Sequence, residues 1–442
     1  MTDKRSNVAL FSLRNGKISI LFRFVLPLCF FALMFGVHSP AQVVTDLYNF
    51  TGGSDGWDPN APLIVGPGGS LYGTTLFGGD LNCSGAFGYG CGTVYELAPN
   101  GGQWTESTLY KFRGAKDGSQ NYIVLTLDSA GRLYGVTDGG TPWNAVFRLT
   151  PGAPGKQWRF ESLYEFKGKR DGGWPLTPLF LDSSGAIYGA SSAGGLRGKG
   201  CSKQYGCGAI FQLLPSTKNG NHWTAHVLYE FQGAEDGGSP STMIMDGAGN
   251  IYGTTSYGGV FNKNCKHGCG VIFQLFPVNG TWAYKVLYAF EGAPHQSPYG
   301  NLVEDASGNL LGLAGAASSG YGDIFELSPP AGGAGSWTLN YLHHSYQSSQ
   351  SYPATNLTLG PDGSLYGDIY GDQDLNAGYI FQMTPPAQQG GAWIYTTLVN
   401  FNKAPYYAYQ NPTGVVVGLQ GDIYSPLSGG GYATGSIVSV VP

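Results

Sequence analysis

Short apolar runs bounded by glycine, aspartate or proline recur from about residue 45 to the end of the chain, and helical periodicity is absent among them. Their length and their turn-rich boundaries predict β-strands. They come in a fixed order. A D-x-x-G turn leads into Leu/Ile-Tyr-Gly, a Gly-rich stretch follows, then an apolar run ending near proline, then a run opened by tryptophan. Tyr72, Tyr134, Tyr188, Tyr252, Tyr366 and Tyr424, with Leu311 in the fifth place, mark seven copies spaced 54 to 64 residues apart. Self-similarity at such a period signals a repeat architecture, in which each unit buries its apolar faces only against its neighbours.

The third copy shows the predicted unit most clearly. Strands are expected at Leu176 to Leu181, Ala186 to Ala190, Ala209 to Leu214 and Trp223 to Phe231, with Asp182 to Gly185 as the first turn. Four short antiparallel strands make one blade of a propeller. The third strands read TVYEL, AVFRL, AIFQL, VIFQL, DIFEL, YIFQM and SIVSV, which is seven. The Trp-led fourth strands, at Trp104, Trp158, Trp223, Trp282, Trp337 and Trp393, number only six. The missing one lies at the other end of the chain, where Leu47-Tyr48-Asn49-Phe50 stands alone before the first copy. The fold expected is therefore all-β, a seven-bladed β-propeller over residues 42–442, with the N-terminal strand closing the last blade and leaving no exposed edge between the termini. The recurring tyrosines and tryptophans are expected to pack between blades.

Composition agrees with a turn-dense β protein: 12% charged residues, 72 glycines and 29 tyrosines. Residues 1–41 read as an export signal. Lys4, Arg5, Arg14, Lys17 and Arg23 form a basic region, Phe24 to Val37 an apolar one, and Ser39-Pro40-Ala41 a small-residue cleavage site. An uncleaved anchor is the alternative, and Leu26-Pro27-Leu28-Cys29 is a poor lipoprotein box. Without that segment the chain keeps 23 − 5 = 18 basic and 28 − 1 = 27 acidic residues, a net charge of −9. Such a surface repels phosphate backbones, so nucleic acid is not an expected partner. Six cysteines form three close pairs, Cys83 with Cys91, Cys201 with Cys207 and Cys265 with Cys269, each ending in a G-C-G before a third strand. In an exported chain they read as disulfides. The zinc alternative at Cys265, His267 and Cys269 lacks a second ligand cluster.

The string L-x-x-D-x-x-G-x-[LI]-Y-G, then G-G, then G-x-[IV]-[FY]-x-L, then W and L-Y-x-F resembles the Gloeo/Verruco (GloVer-type) tandem repeat of choice-of-anchor exported bacterial proteins. Asp182, Gly185, Tyr188, Gly189, Gly194-Gly195, Ile210 to Leu213, Trp223 and Leu228 to Phe231 carry it in the third copy. The fifth copy departs with Leu311 and with His343-His344, the last with Ser425 for Gly. The resemblance implies an exported propeller-like protein, often fitted with a C-terminal anchor. The chain ends in Ser439-Val440-Val441-Pro442 without an added apolar helix, so secreted or periplasmic residence is the expectation. The turn-strand is also similar to blades of two-component regulator propellers. Neither likeness brings catalytic residues.

If the first strand of each copy lines the channel, the second-to-third and fourth-to-first loops share one face. That face gathers Trp57, Trp143 and Trp174, the acids of the G-x-x-D-G crossings (Asp55, Asp117, Asp171, Asp236), the cysteine loops, and Tyr299, Tyr406 and Tyr407. Aromatic rings beside carboxylates suit a sugar ring or an extended peptide. The alternative is that the rings cap blade ends and the D-G pairs are turn residues. Asp372, Asp374 and Asn376 offer alternate oxygens for calcium, though Gly378 and Met383 break the EF-hand pattern; no other cofactor is expected. His222 and His226 lie four apart on an outer strand, and His343 and His344 point to opposite strand faces. No G-x-S-x-G, P-loop or H-E-x-x-H occurs. The reading favours a monomeric, non-catalytic binding or scaffold module for polysaccharide or a cell-envelope protein, with no membrane contact once the signal is removed. The alternative is a polysaccharide lyase or glycoside hydrolase with carboxylates from different blades at the loop-rich mouth.

Overall fold

A computed structural model describes residues 43–441 apart from 84–88, 115–116, 120–122, 138, 140, 154–155, 177, 216–222, 293–296, 317–320, 334, 347–351, 371–377, 389–390, 402–409 and 430–433. Seven antiparallel sheets follow one another along the chain as the blades of a propeller. The fourth blade is typical, with strands Gly238–Met245, Ile251–Tyr257, Val271–Val278 and Thr281–Ala289 in that spatial order. The third departs from expectation. Instead of one strand over 176–181, Gly173–Pro175 and Phe180–Leu181 pair separately with Ile187–Ala193. Pro175 and Pro178 supply no amide hydrogens to a continuous ladder, which explains the break.

Closure is as the repeat count requires. Val43–Asn49 pairs antiparallel with Ser436–Val441, Val43 against Val441 and Asn49 against Ser436, and so serves as the outermost strand of the seventh blade. The ring is also stitched at its inner wall. Thr74 Oγ1 donates to Ile123 O (3.2 Å), Thr126 Oγ1 to Leu179 O (2.7 Å), Asn301 Nδ2 to Leu357 O (2.8 Å) and Thr413 Oγ1 to Pro59 O (3.2 Å), the last joining the seventh blade to the first.

Each letter of the repeat has a mechanical cause. Gly189 sits directly across from Phe211, and a Cβ there would come within 2.4 Å of the phenyl ring. The last copy carries Ser425 for this glycine because its cross-strand partner is the smaller Val438. The leucine of L-Y-x-F is the bulge residue. Ile210 faces Tyr229 and Phe211 faces Val227, so Leu228 is skipped, and the same shift recurs in every blade. The turn aspartate wires its own blade: Asp182 takes the Ser184 and Ala186 amides on Oδ1 and the Tyr188 hydroxyl on Oδ2 (3.0 Å), and Gln212 Nε2 donates to the same hydroxyl (2.7 Å). Where Leu311 replaces tyrosine, Asn309 Nδ2 donates to Asp305 at 2.8 Å, as Asn250 does to Asp246 beside Tyr252 in the fourth blade. Anchor tyrosines meet the tryptophan of the next blade edge-on or tilted, Tyr188 with Trp282, Tyr252 with Trp337 and, across the closure, Tyr424 with Trp104. These contacts are the expected packing between blades.

Candidate functional site

Antiparallel order places the D-x-x-G turns on one face and the cysteine loops and blade crossings on the other. On the loop-bearing face the four crossing acids are drawn inward. Tyr48, Tyr110, Tyr164 and Tyr229 donate their hydroxyls to Asp55, Asp117, Asp171 and Asp236 at 2.9, 2.5, 3.0 and 2.8 Å, always seven residues apart. The amides of Thr51, Arg113, Lys167 and Gln232 add a bond of 2.6 to 3.0 Å to each carboxylate. Burial works to raise the Asp55 pKa, yet the Thr51 and Tyr48 bonds outweigh it and hold the carboxyl below its ordinary value. Burial first, and Asp171 second, push Tyr164 up to about 12. These carboxylates act as latches that fold each crossing back on its outer strand.

The cysteines are bonded in the three expected pairs. The second cysteine of each pair fills a slot against the crossing: in the third blade Ser239 N donates to Cys207 O and Phe231 N to Gly208 O. In the second blade Trp174 N donates to Trp143 O and Phe166 N to Asn144 O. Trp143 thus stands where the first, third and fourth blades place a disulfide. A Cβ on Gly168 or Gly173 would strike its indole, as one on Gly233 or Gly238 would strike Cys201 Sγ. Asn144 takes the left-handed backbone (φ 63°) that Gly208 takes in the third blade (φ 84°), a conformation asparagine tolerates well.

Each cysteine loop also lifts one ring toward solvent. Tyr89 is 55% and Tyr205 37% exposed, and His267 holds the same place in KHGCG. Each leans on another aromatic side chain: Tyr89 on Trp57 (5.3 Å) and Phe77 (6.0 Å), Tyr205 on Trp174 (4.6 Å), His267 on Tyr257 (6.1 Å). Trp143 lies 5.7 Å behind Trp174, so the row runs Trp143, Trp174, Tyr205. Sequence reasoning had Trp57, Trp143 and Trp174 but passed over Phe77, Tyr89, Tyr205, Tyr257 and His267. The signal was present, as an aromatic ring two residues before the second cysteine in every cysteine loop.

Other expected residues fall elsewhere. Tyr299 packs among the apolar residues between the fifth and sixth blades rather than joining the rim, because its strand turns that side inward. His343 stacks on Tyr395 of the next blade (4.1 Å), while His344 Nδ1 lies 2.7 Å from the buried Asp323. His226 is exposed on the outer strand of the third blade. His222, Asp372, Asp374, Asn376, Tyr406 and Tyr407 lie outside the described residues, among which no cluster of three potential metal ligands occurs. At the ring axis a cavity of about 250 Å³ is walled by residues of six blades. Among the described residues, Asn60, Ser241, Thr242, Asn301 and Asn356 supply its polar side chains and no charged residue lines it.

Comparison with known proteins agrees with this architecture. The chain resembles a polysaccharide lyase of family PL25, an ulvan lyase (11% identity, 90% of this chain and 95% of that one, TM-score 0.51). It also resembles a protein of unknown function from Dyadobacter fermentans (13%, 91% and 98%, TM-score 0.43) and the aldose sugar dehydrogenase of Streptomyces coelicolor (11%, 91% and 98%, TM-score 0.40). At such identities the likeness is one of fold alone. No curated protein matches the sequence. The Gloeobacter/Verrucomicrobia repeat profile matches residues 33–202, 84–263 and 201–439, and with seven blades built from one motif, the chain belongs to the Gloeobacter/Verrucomicrobia repeat family.

Proposed function

We propose that the protein is an exported, monomeric binding module whose loop-bearing face takes polysaccharide. The observation that carries this reading is the set of three aromatic clusters on one face, Trp57-Phe77-Tyr89, Trp174-Tyr205 and Tyr257-His267, in each of which one ring (Tyr89, Tyr205 or His267) sits on a disulfide-bonded loop. Rings fixed in this way stack on the apolar face of a sugar at little entropic cost. The three disulfides suit an oxidising compartment, in keeping with removal of residues 1–41 during export. Because the crossing acids are tied to tyrosines, the rings rather than the carboxylates carry recognition.

Retention on immobilised cell-envelope and plant polysaccharides tests the proposal. Trp57→Ala, Trp174→Ala and Tyr205→Ala should each weaken retention by about 1 kcal/mol while the fold persists. Unchanged retention in all three would remove the stacking role. A second reading, a lyase or hydrolase, draws on the Asp323–His344 pair, since a carboxylate can orient an imidazole as a base. Release of new reducing or unsaturated ends by the protein, abolished in His344→Ala, would establish it over the first.

A further inference from the structure

The three aromatic clusters differ in charge. The loop that carries Tyr89, residues 79–91, holds Asp80 and no base. The loops that carry Tyr205 and His267, residues 196–207 and 260–269, hold Arg197, Lys199, Lys203, Lys263 and Lys266 and no acid. Two short loops thus contain five of the 18 bases that follow residue 41, on a chain whose net charge there is −9. All five are exposed. Among the described residues none of them makes an ion pair, whereas Arg113, Arg132, Arg148, Arg159 and Arg170 are each tied to a carboxylate. The two loops form one surface. Lys199 Nζ lies 4.6 Å over the ring of Phe261, and a Cβ on Gly200 would come within 2.7 Å of His267 O. The Cys201–Cys207 and Cys265–Cys269 disulfides close both loops, and Gly195 N donates to Lys169 O at 2.7 Å, which sets the Lys169-Arg170 crossing against the first of them. Bases and rings are interleaved along this surface: Lys203 stands two residues before Tyr205, and Lys266 directly before His267.

We infer that the rim of the third and fourth blades takes anionic polysaccharide, a polymer whose sugars carry carboxylate or sulfate groups. The inference rests on the polysaccharide reading and names the class of glycan. Like charges gathered on one surface repel each other, and a bound anion relieves that repulsion. Ammonium and guanidinium groups both form charge-assisted hydrogen bonds to carboxylate and sulfate oxygens. An acidic sugar presents an apolar ring face beside its charged group, and these loops present an aromatic side chain beside a base, so stacking and charge are met together. A nucleic acid strand fits less well. It carries a phosphate on every unit and would run from these loops onto the acidic remainder of the surface.

Binding of the protein to four probes tests this: polygalacturonate for carboxylate, dextran sulfate for sulfate, unmodified dextran as the neutral polymer and a single-stranded DNA oligomer as a polyanion without sugar rings on offer. At least one charged glycan should bind about tenfold or more tighter than dextran, and which one does so names the anionic group. Raising sodium chloride from about 50 to about 500 mM should weaken that binding by about tenfold or more. Lys203→Gln combined with Lys266→Gln should weaken it by about five- to tenfold. Lys156→Gln combined with Lys285→Gln removes the same charge from exposed positions elsewhere and should leave it unchanged. All four side chains are exposed, and melting curves like that of the unaltered protein certify both folds. Dextran bound as tightly as the charged glycans, without salt dependence, would overturn the inference and leave the polysaccharide reading standing. Retention of none of the glycans would remove both. DNA bound as tightly as the charged glycans, or full affinity in the folded Lys203/Lys266 variant, would also overturn it, since the loops would then be a general polyanion patch or a surface the glycan does not touch.

Discussion

The second and third blades meet the same structural demand with different chemistry. Both must cover the bare glycines of an outgoing crossing, Gly168 and Gly173 in one, Gly233 and Gly238 in the other. The third blade uses the Cys201–Cys207 disulfide and the second uses the indole of Trp143, with the same two backbone bonds on either side. What the position requires is therefore bulk held against backbone, and a covalent bond is one way of supplying it. The crossing into the first blade adds a third case. There Asp58 occupies the left-handed position (φ 61°) held by Trp174 and Ser239, and donates its amide to Thr434 in the same slot.

The largest break in this comparison should come from Trp143→Ala. It removes the cover of two glycines and the back of the Trp174 stack at once, and should cost about 2 to 4 kcal/mol in denaturant unfolding. A loss under about 0.5 kcal/mol would mean that the slot needs no filling. Replacing Cys201 and Cys207 together by serine should cost about 2 kcal/mol, the loop-closure value for so short a ring. Reduction of the unaltered protein should reproduce that loss, and a Trp143→Ala chain should be more sensitive to reductant if the two devices stabilise neighbouring crossings of one ring.

Asp58 sharpens the comparison through pH. Burial pushes its carboxyl up to about 6, against an ordinary 3.8, with the Gly429 amide opposing. A raised folded-state value means that the folded protein holds this proton more tightly than the unfolded chain does. Its contribution is then complete below about pH 4 and is lost as pH rises to about 6. Asp58→Asn should flatten thermal stability across that interval and gain about 1 to 2 kcal/mol at neutral pH, after allowance for solvent screening. A variant with the same pH profile as the parent would show that Asp58 is hydrated. The smallest effect is expected from Tyr164→Phe, which deletes one latch onto Asp171 and should cost about 1 kcal/mol without altering the neighbouring blades.

Much of the molecule was legible before its structure. The seven-fold repeat, the closing strand around Tyr48 and the three cysteine pairs follow from periodicity and counting, because a blade that buries both faces against identical neighbours must repeat its apolar positions. The break near Pro178 is legible in principle, because Pro175 and Pro178 offer no amide to a ladder, although the apolar run over 176–181 by itself suggests one strand. The equivalence of Trp143 with a cysteine was not legible. Nothing in TPWN resembles QYGCG, and only the shared backbone bonds reveal that the two segments end in the same place. The crossing acids were read with both alternatives open, and their tyrosine partners lie seven residues upstream, across a fold-back that no strand or helix period describes.

Sequence by itself determined the number of blades, their strand order and the means of closure, for these depend on local pattern and on how many units of one kind a ring must contain. Tertiary structure decided which polar groups remain for a ligand. The Tyr–Asp latches recur at a fixed spacing of seven, but whether Tyr205 leans on Trp174 or His343 stacks on Tyr395 depends on atoms brought together from separate loops and blades, and linear spacing carries no record of that meeting.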